Sequence, residues 1–146
     1  MSDACDFRGL LERHQVRVTP LRLAVLEALG SASRAFRVRE ILAHIRRRRR
    51  VHKVTVYRIL EDFSQRGFVR KIPVEGKAAR FELACEHHPP HPHFQCRACG
   101  EVECLEPVPL EQVWQELRGP LGHRADRLEI RVAGLCRRCR RARGEP

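Results

Sequence analysis

Four of the seven cysteines stand as two Cys-x2-Cys pairs, Cys96/Cys99 and Cys136/Cys139, with 36 residues between the pairs. Two intervening residues let both thiolates of a turn point at one ion, and two such knuckles complete the tetrahedron that Zn²⁺ takes at a closed structural site. Arg97, Arg137 and Arg138 flank the thiolates and offset part of their charge, while Gly100 and Gly134 suit the tight backbone beside each knuckle. A redox dithiol or an iron–sulfur cluster needs no two matched pairs placed after a strand. The pattern therefore predicts one structural Zn²⁺ per chain, held in a small domain that depends on it.

Charge divides the chain in the same place as the cysteines. Residues 1–84 carry 19 Lys/Arg against 9 Asp/Glu, and residues 85–146 carry 10 against 9, so nearly all of the net charge of +11 lies in the first part. Six of the seven cysteines lie in the second. This asymmetry points to a polyanion-binding half joined to a metal-binding half. At 42% hydrophobic residues the chain is globular, with no apolar run long enough to span a bilayer. Met1 to Arg13 is too polar for a signal peptide. The expected location is the cytoplasm, where cysteines bind metal or do redox chemistry more often than they form disulfides.

The first half reads as helices followed by a ribbon. Phe7, Leu10 and Leu11 share one face of a helix over 6–14; Thr19-Pro20 then reads as a cap with proline at the first helical position. Leu21, Val25, Leu26 and Leu29 follow at helical spacing, with Gly30 as the expected C-terminal cap. Val38, Ile41, Leu42 and Ile45 mark a third helix ending in the arginine run 46–50. A fourth starts at Lys53 and is capped by Gly67. Two strands over 68–72 and 80–83, joined by a Pro73 to Ala79 turn, complete a winged helix-turn-helix order. In the second half, strands flank Cys96/Cys99, a helix starts at Pro109 and stops at Gly119-Pro120, and Leu128, Ile130 and Val132 alternate as a strand leading to Cys136. The fold class is α+β, with a boundary after residue 83: a winged-helix domain over 1–83 and a metal-binding domain over 84–146.

Two further groups carry chemistry. Cys85, His91, His93 and Cys104 form a second candidate metal set, because His91-x-His93 puts both imidazoles on one face of an extended segment. Two nitrogens and two thiolates suit Zn²⁺, whereas harder ions prefer carboxylates. Glu86, His87, His88 or Glu101 could replace any one of the four, and Cys5 has no assigned role. On the fourth helix, Lys53, Thr55, Tyr57 and Arg58 alternate with the expected core positions Val54, Val56, Ile59 and Leu60. One packed face and one face of hydrogen-bond donors is what a helix reading DNA base edges requires. The arginine run upstream could neutralise phosphates and add affinity without sequence reading.

Four stretches together resemble the ferric uptake regulator family of bacterial metal-responsive repressors. They are Arg17-Val-Thr-Pro-Leu-Arg22, Val54-Thr-Val-Tyr-Arg58 with Gly67-Phe-Val69, His91-Pro-His-Phe-Gln-Cys-Arg-Ala-Cys-Gly100, and Gly134-Leu-Cys-Arg-Arg-Cys139. The resemblance implies a winged-helix domain, a hinge and an α/β dimerisation domain. It also implies a homodimer that binds palindromic, AT-rich operator DNA when its sensory metal is loaded. Tyr57 and Arg58 match the family's DNA-contacting Tyr-Arg, and Arg22 matches a backbone-contacting arginine.

Departures from the family pattern bear on the sensed metal. Arg34-Ala35-Phe36-Arg37 lacks the histidine that iron, manganese and peroxide sensors bring before the third helix, and Cys85 and Cys104 stand where those sensors favour carboxylates. A cysteine at the first of these positions is similar to the family's zinc uptake regulators, although Arg70 occupies a position where those often place a ligand. A third family site keeps Glu111 but has Pro90 and Pro92 at other ligand positions. The expectation is a zinc-sensing repressor with a structural and a regulatory Zn²⁺, whose partners are operator DNA and a second copy of the chain. No membrane or small-molecule substrate other than the metal ion is expected. An iron-, manganese-, peroxide- or thiol-responsive regulator is the alternative. A hydrolase or deaminase would need an open metal position and a general base, and the deaminase His-x-Glu signature is absent.

Overall fold

A computed structural model describes residues 5–118 and 128–146, apart from the side chains of Leu110 and Arg118. The chain divides into two compact units, Met1–Pro89 and Pro90–Pro146. The boundary expected after residue 83 falls inside the first of these. Backbone pairing runs past it, with the Ala84 N–H donating to the Phe68 carbonyl at 3.0 Å and the His88 N–H to the Cys85 carbonyl at 2.8 Å.

The first unit runs α1 (Phe7–Arg13), α2 (Pro20–Gly30), β1 (Phe36–Arg37), α3 (Val38–Arg46), α4 (Lys53–Gln65), β2 (Val69–Val74) and β3 (Lys77–Leu83). The local signals account for most of these ends. Asp6 accepts from the Gly9 amide at the start of α1, and Thr19 accepts from the Arg22 amide at the start of α2, where Pro20 occupies the first turn. Gly67, at φ +87, adopts the left-handed turn that ends α4, so only glycine sits there without strain. Gly30 has a different role from the expected cap: it is the last helical residue, and a Cβ there would lie 2.6 Å from the Phe7 ring. A side chain at this position would have to displace the tip of the half-buried Phe7 ring.

The ribbon is longer than the sequence predicts. Strands β2 and β3 pair antiparallel as far as Val74↔Lys77, so the turn is Glu75-Gly76 alone, with Gly76 at φ +65. The register shifts between Ile72 and Val74, where Pro73 has no amide to give the ladder, and pairing then resumes. Strand β1 was not predicted; it pairs with β3 through Phe36↔Phe81 and Arg37↔Arg80, giving a sheet in the order β1-β3-β2. Phe63, Phe68, Phe81, Leu26, Leu29, Ile41 and Leu60 are fully buried between the helices and this sheet. At roughly 2 kcal/mol for each large apolar side chain removed from water, such a core can hold a small domain without help.

The second unit runs β4 (His93–Cys96), β5 (Val102–Cys104), α5 (Leu110–Arg118), β6 (Arg131–Gly134) and α6 (Arg137–Ala142). Its sheet has the order β5-β4-β6, antiparallel between β4 and β5 and parallel between β4 and β6. The strand expected from Leu128 begins only at Arg131, and α6 follows with no apolar stripe in its sequence to announce it. The expected stop at Gly119-Pro120 lies outside the described residues. Among the described residues the buried hydrophobics of this unit are Cys96 and Val102. No helix among them is long and apolar enough to cross a membrane.

Candidate metal centres and nucleic-acid interface

The β4/β6 register builds the four-cysteine cluster. Cys96 pairs with Gly134, and the Arg97 amide donates to the Gly134 carbonyl at 2.8 Å, which brings Cys136 beside the first knuckle. Gly100 turns that knuckle at φ +72, with its amide on the Cys96 carbonyl at 2.9 Å. Cys136 is the residue at the start of α6, and the first turn of that helix carries Cys139. Ligand atoms of Cys96, Cys99, Cys136 and Cys139 all lie within 4.8 Å of one another, and the Cys99 and Cys136 sulfurs are 3.7 Å apart. This set could hold a metal ion.

Electrostatics prepare the cluster for a cation. The Cys136 amide donates to the Cys96 sulfur at 3.3 Å and, with the Cys99 amide, draws the Cys96 thiol down to about 6. Burial works against ionisation of Cys99, but the Glu101 amide and the Arg138 guanidinium bonded to it hold that thiol below its ordinary value. Cys139 is pushed up to about 12, first by its hydrogen bond with the Cys136 sulfur and then by burial and the other two sulfurs. Four thiolates this close cannot all ionise unaided, and a divalent cation removes that penalty.

The second expected set is divided between the units. His91, His93 and Cys104 belong to the second: His93 sits directly opposite Cys104 in the β4/β5 ladder, and the two imidazole rings are 4.6 Å apart between centroids. Their ligand atoms fall within 4.8 Å of one another. Cys85, expected as the fourth member, belongs to the first unit, where its sulfur lies 3.2 Å from the Cys5 sulfur and 3.2 Å from His88 Nδ1. Sequence reasoning left Cys5 without a partner because the meeting is tertiary. The Cys85-x2-His88 spacing, equal to that of each zinc knuckle, was the available signal.

Helix α4 presents the expected polar face. Lys53, Thr55 and Arg58 are exposed, Tyr57 is half-buried, and the Lys53 ammonium lies 5.6 Å from the Tyr57 ring centroid. Val56 and Leu60 are buried as expected and Ile59 is half-buried, but Val54, read as a core position, is 61% exposed. It stands in the first turn among the polar candidates, so the helix packs on fewer apolar positions than its spacing implies. Arg22 is half-buried, its guanidinium donating to the Arg17 carbonyl at 2.8 Å. Arg46 ends α3, and Arg46 to Arg50 are all exposed.

Comparison with known proteins agrees with this geometry. The profile of the ferric uptake regulator family matches residues 13–132. The transcriptional regulator FurA of Mycobacterium tuberculosis is 31% identical over 147 residues, spanning 95% of this chain and 93% of that protein. The ferric uptake regulator of Vibrio cholerae superimposes with a TM-score of 0.73 at 28% identity, over 90% of this chain and all of that one. A zinc uptake regulator solved with zinc and DNA superimposes with a TM-score of 0.63 at 26% identity, over 94% of this chain and 92% of that one. With its winged helix-turn-helix, metal-ligand clusters and matched length, the chain belongs to the ferric uptake regulator family of metal-responsive transcriptional regulators and is not an enzyme.

Proposed function

We propose that this protein is a zinc-responsive repressor that binds palindromic operator DNA as a homodimer. The observation that carries the metal assignment is the donor set of the second unit: two imidazoles and a thiolate at His91, His93 and Cys104. A thiolate among the donors favours borderline-soft Zn²⁺ over the harder Fe²⁺ and Mn²⁺. Cys85, the fourth ligand of the sequence reading, is engaged with Cys5 and His88, so the proposal rests on the other three. Cys96, Cys99, Cys136 and Cys139 hold a second, structural Zn²⁺, whose role is to cross-link β4, β6 and α6.

Helix α4 is the proposed reading element. Tyr57, Arg58, Thr55 and Lys53 offer donors to base edges and phosphates, and the exposed Val54 offers an apolar contact for thymine methyl groups. Arg22 and the exposed arginines 46–50 address the phosphate backbone. Among the described residues of the second unit, β6 is an edge strand with Val132 45% exposed, and Val108 and Leu117 are 43% and 51% exposed. An open edge strand and exposed apolar side chains suit pairing with a second copy. Two copies then carry two reading helices to half-sites about one helical turn, or a multiple of it, apart. A bound regulatory ion cross-links its ligands; His91, His93 and Cys104 convert that into DNA affinity in proportion to their preference for the ion in the DNA-competent state.

The test is a binding titration on a duplex selected from random sequence by the zinc-loaded protein. After mild chelation, binding should return with Zn²⁺ at concentrations where Fe²⁺ and Mn²⁺ do not restore it, and His91→Ala should abolish the return. Equal binding without metal, or a stronger response to Fe²⁺ or Mn²⁺, would overturn the assignment.

A further inference from the structure

The first unit gathers three soft donors that the regulatory reading does not use. The Cys5 and Cys85 sulfurs are 3.2 Å apart, Cys85 is 3.2 Å from His88 Nδ1, and Cys5 is 3.9 Å from the same nitrogen. All three residues are partly buried, and Cys85 packs against the hydrophobic core. Their backbones are anchored independently. Cys5 immediately precedes the capped start of α1, whose Leu10 and Leu11 are core residues. Cys85 leaves β3 and opens a turn closed by the His88 amide on its carbonyl, and Arg70 donates to the His88 carbonyl at 2.9 Å.

We propose that Cys5, Cys85 and His88 form a metal site of the winged-helix unit, taking a borderline-soft divalent cation of the Zn²⁺ class and fastening the segment before α1 to the chain leaving β3. With ligands at about 2.3 Å for sulfur and about 2.0 Å for nitrogen, two sulfurs and one nitrogen stand roughly 3.5–3.8 Å apart around a tetrahedral ion, and the three separations bracket that range. Both cysteines carry free thiols. Two thiolates and a neutral imidazole balance a divalent charge, within a unit that is otherwise strongly basic. The fourth position is left to water or a small ligand.

Elemental analysis of the full chain, prepared under reductant and loaded with Zn²⁺ alone, tests the proposal. Cys5→Ser and His88→Ala should each lower bound zinc by one equivalent per chain. His91→Ala should lower a different equivalent, so that Cys5→Ser combined with His91→Ala loses two. A Cys5→Ser chain holding as much zinc as the parent would overturn the site. If each single variant loses one equivalent and the double variant still loses only one, the two sets share one ion and the separate site is also overturned. Loss of one equivalent in Cys5→Ser with none in His91→Ala would support this site while refuting the regulatory one. With Co²⁺ in place of Zn²⁺, the thiolate-to-cobalt absorption should weaken in Cys5→Ser, and thermal melting of each variant separates ligand loss from misfolding.

Discussion

The two units are built on opposite economies. The winged-helix unit buries three phenylalanines and a set of leucines and isoleucines completely, whereas the described residues of the second unit bury Cys96 and Val102 alone among hydrophobics. One unit excludes water from a core; the other gathers thiolates and imidazoles. That division fits a metal-responsive regulator. The surface that reads DNA must persist in every state, while the unit that answers to metal should depend on metal for its order.

The largest effect should come from breaking the cysteine cluster. Cys96→Ser removes the most buried ligand, and a structural zinc site of this kind is worth on the order of 10 kcal/mol of folding free energy. The second unit should lose its sheet and its ion, seen by circular dichroism and metal content, with helical signal from the first unit retained. Phe81→Ala is the mirror test. Phe81 is fully buried on the central strand of its sheet, so its truncation should cost about 3–5 kcal/mol in denaturant unfolding of the first unit. Bound zinc in the second unit should not change.

The ease of reading the sequence also differs between the units. Helices α1 to α4 were legible because each carries apolar residues at helical spacing, with a recognisable cap at the start of α2 in Thr19-Pro20 and after α4 in Gly67. The four-cysteine cluster was legible because its ligand spacing is local. What escaped was decided by distant partners. Strand β1 exists only through its pairing with Phe81 and Arg80, and α6 is an arginine-rich turn beginning at a metal-ligand candidate rather than an amphipathic helix. Val54 lies at a spacing compatible with the core, and only the tertiary packing of α4 decides that it faces outward. The grouping of Cys5 with Cys85 joins residues 80 apart in sequence, beyond any local pattern.

Smaller effects sharpen the assignment of the reading helix. Tyr57→Ala should cost about 1–3 kcal/mol of discrimination between the selected duplex and a scrambled one. Arg48→Ala should instead weaken both duplexes alike and lower the salt dependence of binding, as the proposed contact of its exposed side chain with phosphates requires. Competition titrations at two salt concentrations separate the two outcomes.

The smallest effect is a pH dependence confined to the first unit. Burial would raise the Glu40 carboxyl, but the Arg37 amide bonded to it at 2.7 Å and the Arg34 guanidinium at 3.0 Å outweigh burial and hold it below its ordinary value of 4.5. A depressed carboxyl stabilises the fold above its unfolded pKa and loses that contribution as pH falls through the folded value. Glu40→Gln should cost about 0.5–1 kcal/mol at neutral pH, the scale of a helix-start hydrogen bond. The gap from the parent should close as the pH is lowered below 4.5, followed by urea unfolding.

Amide hydrogen exchange on the intact protein, with and without a zinc chelator, tests the contrast between the units most directly. The account predicts that chelation strips protection from β4, β5 and β6 while α3, α4 and β3 keep theirs. Equal loss in both units, or protection of β4–β6 that survives complete removal of zinc, would contradict it.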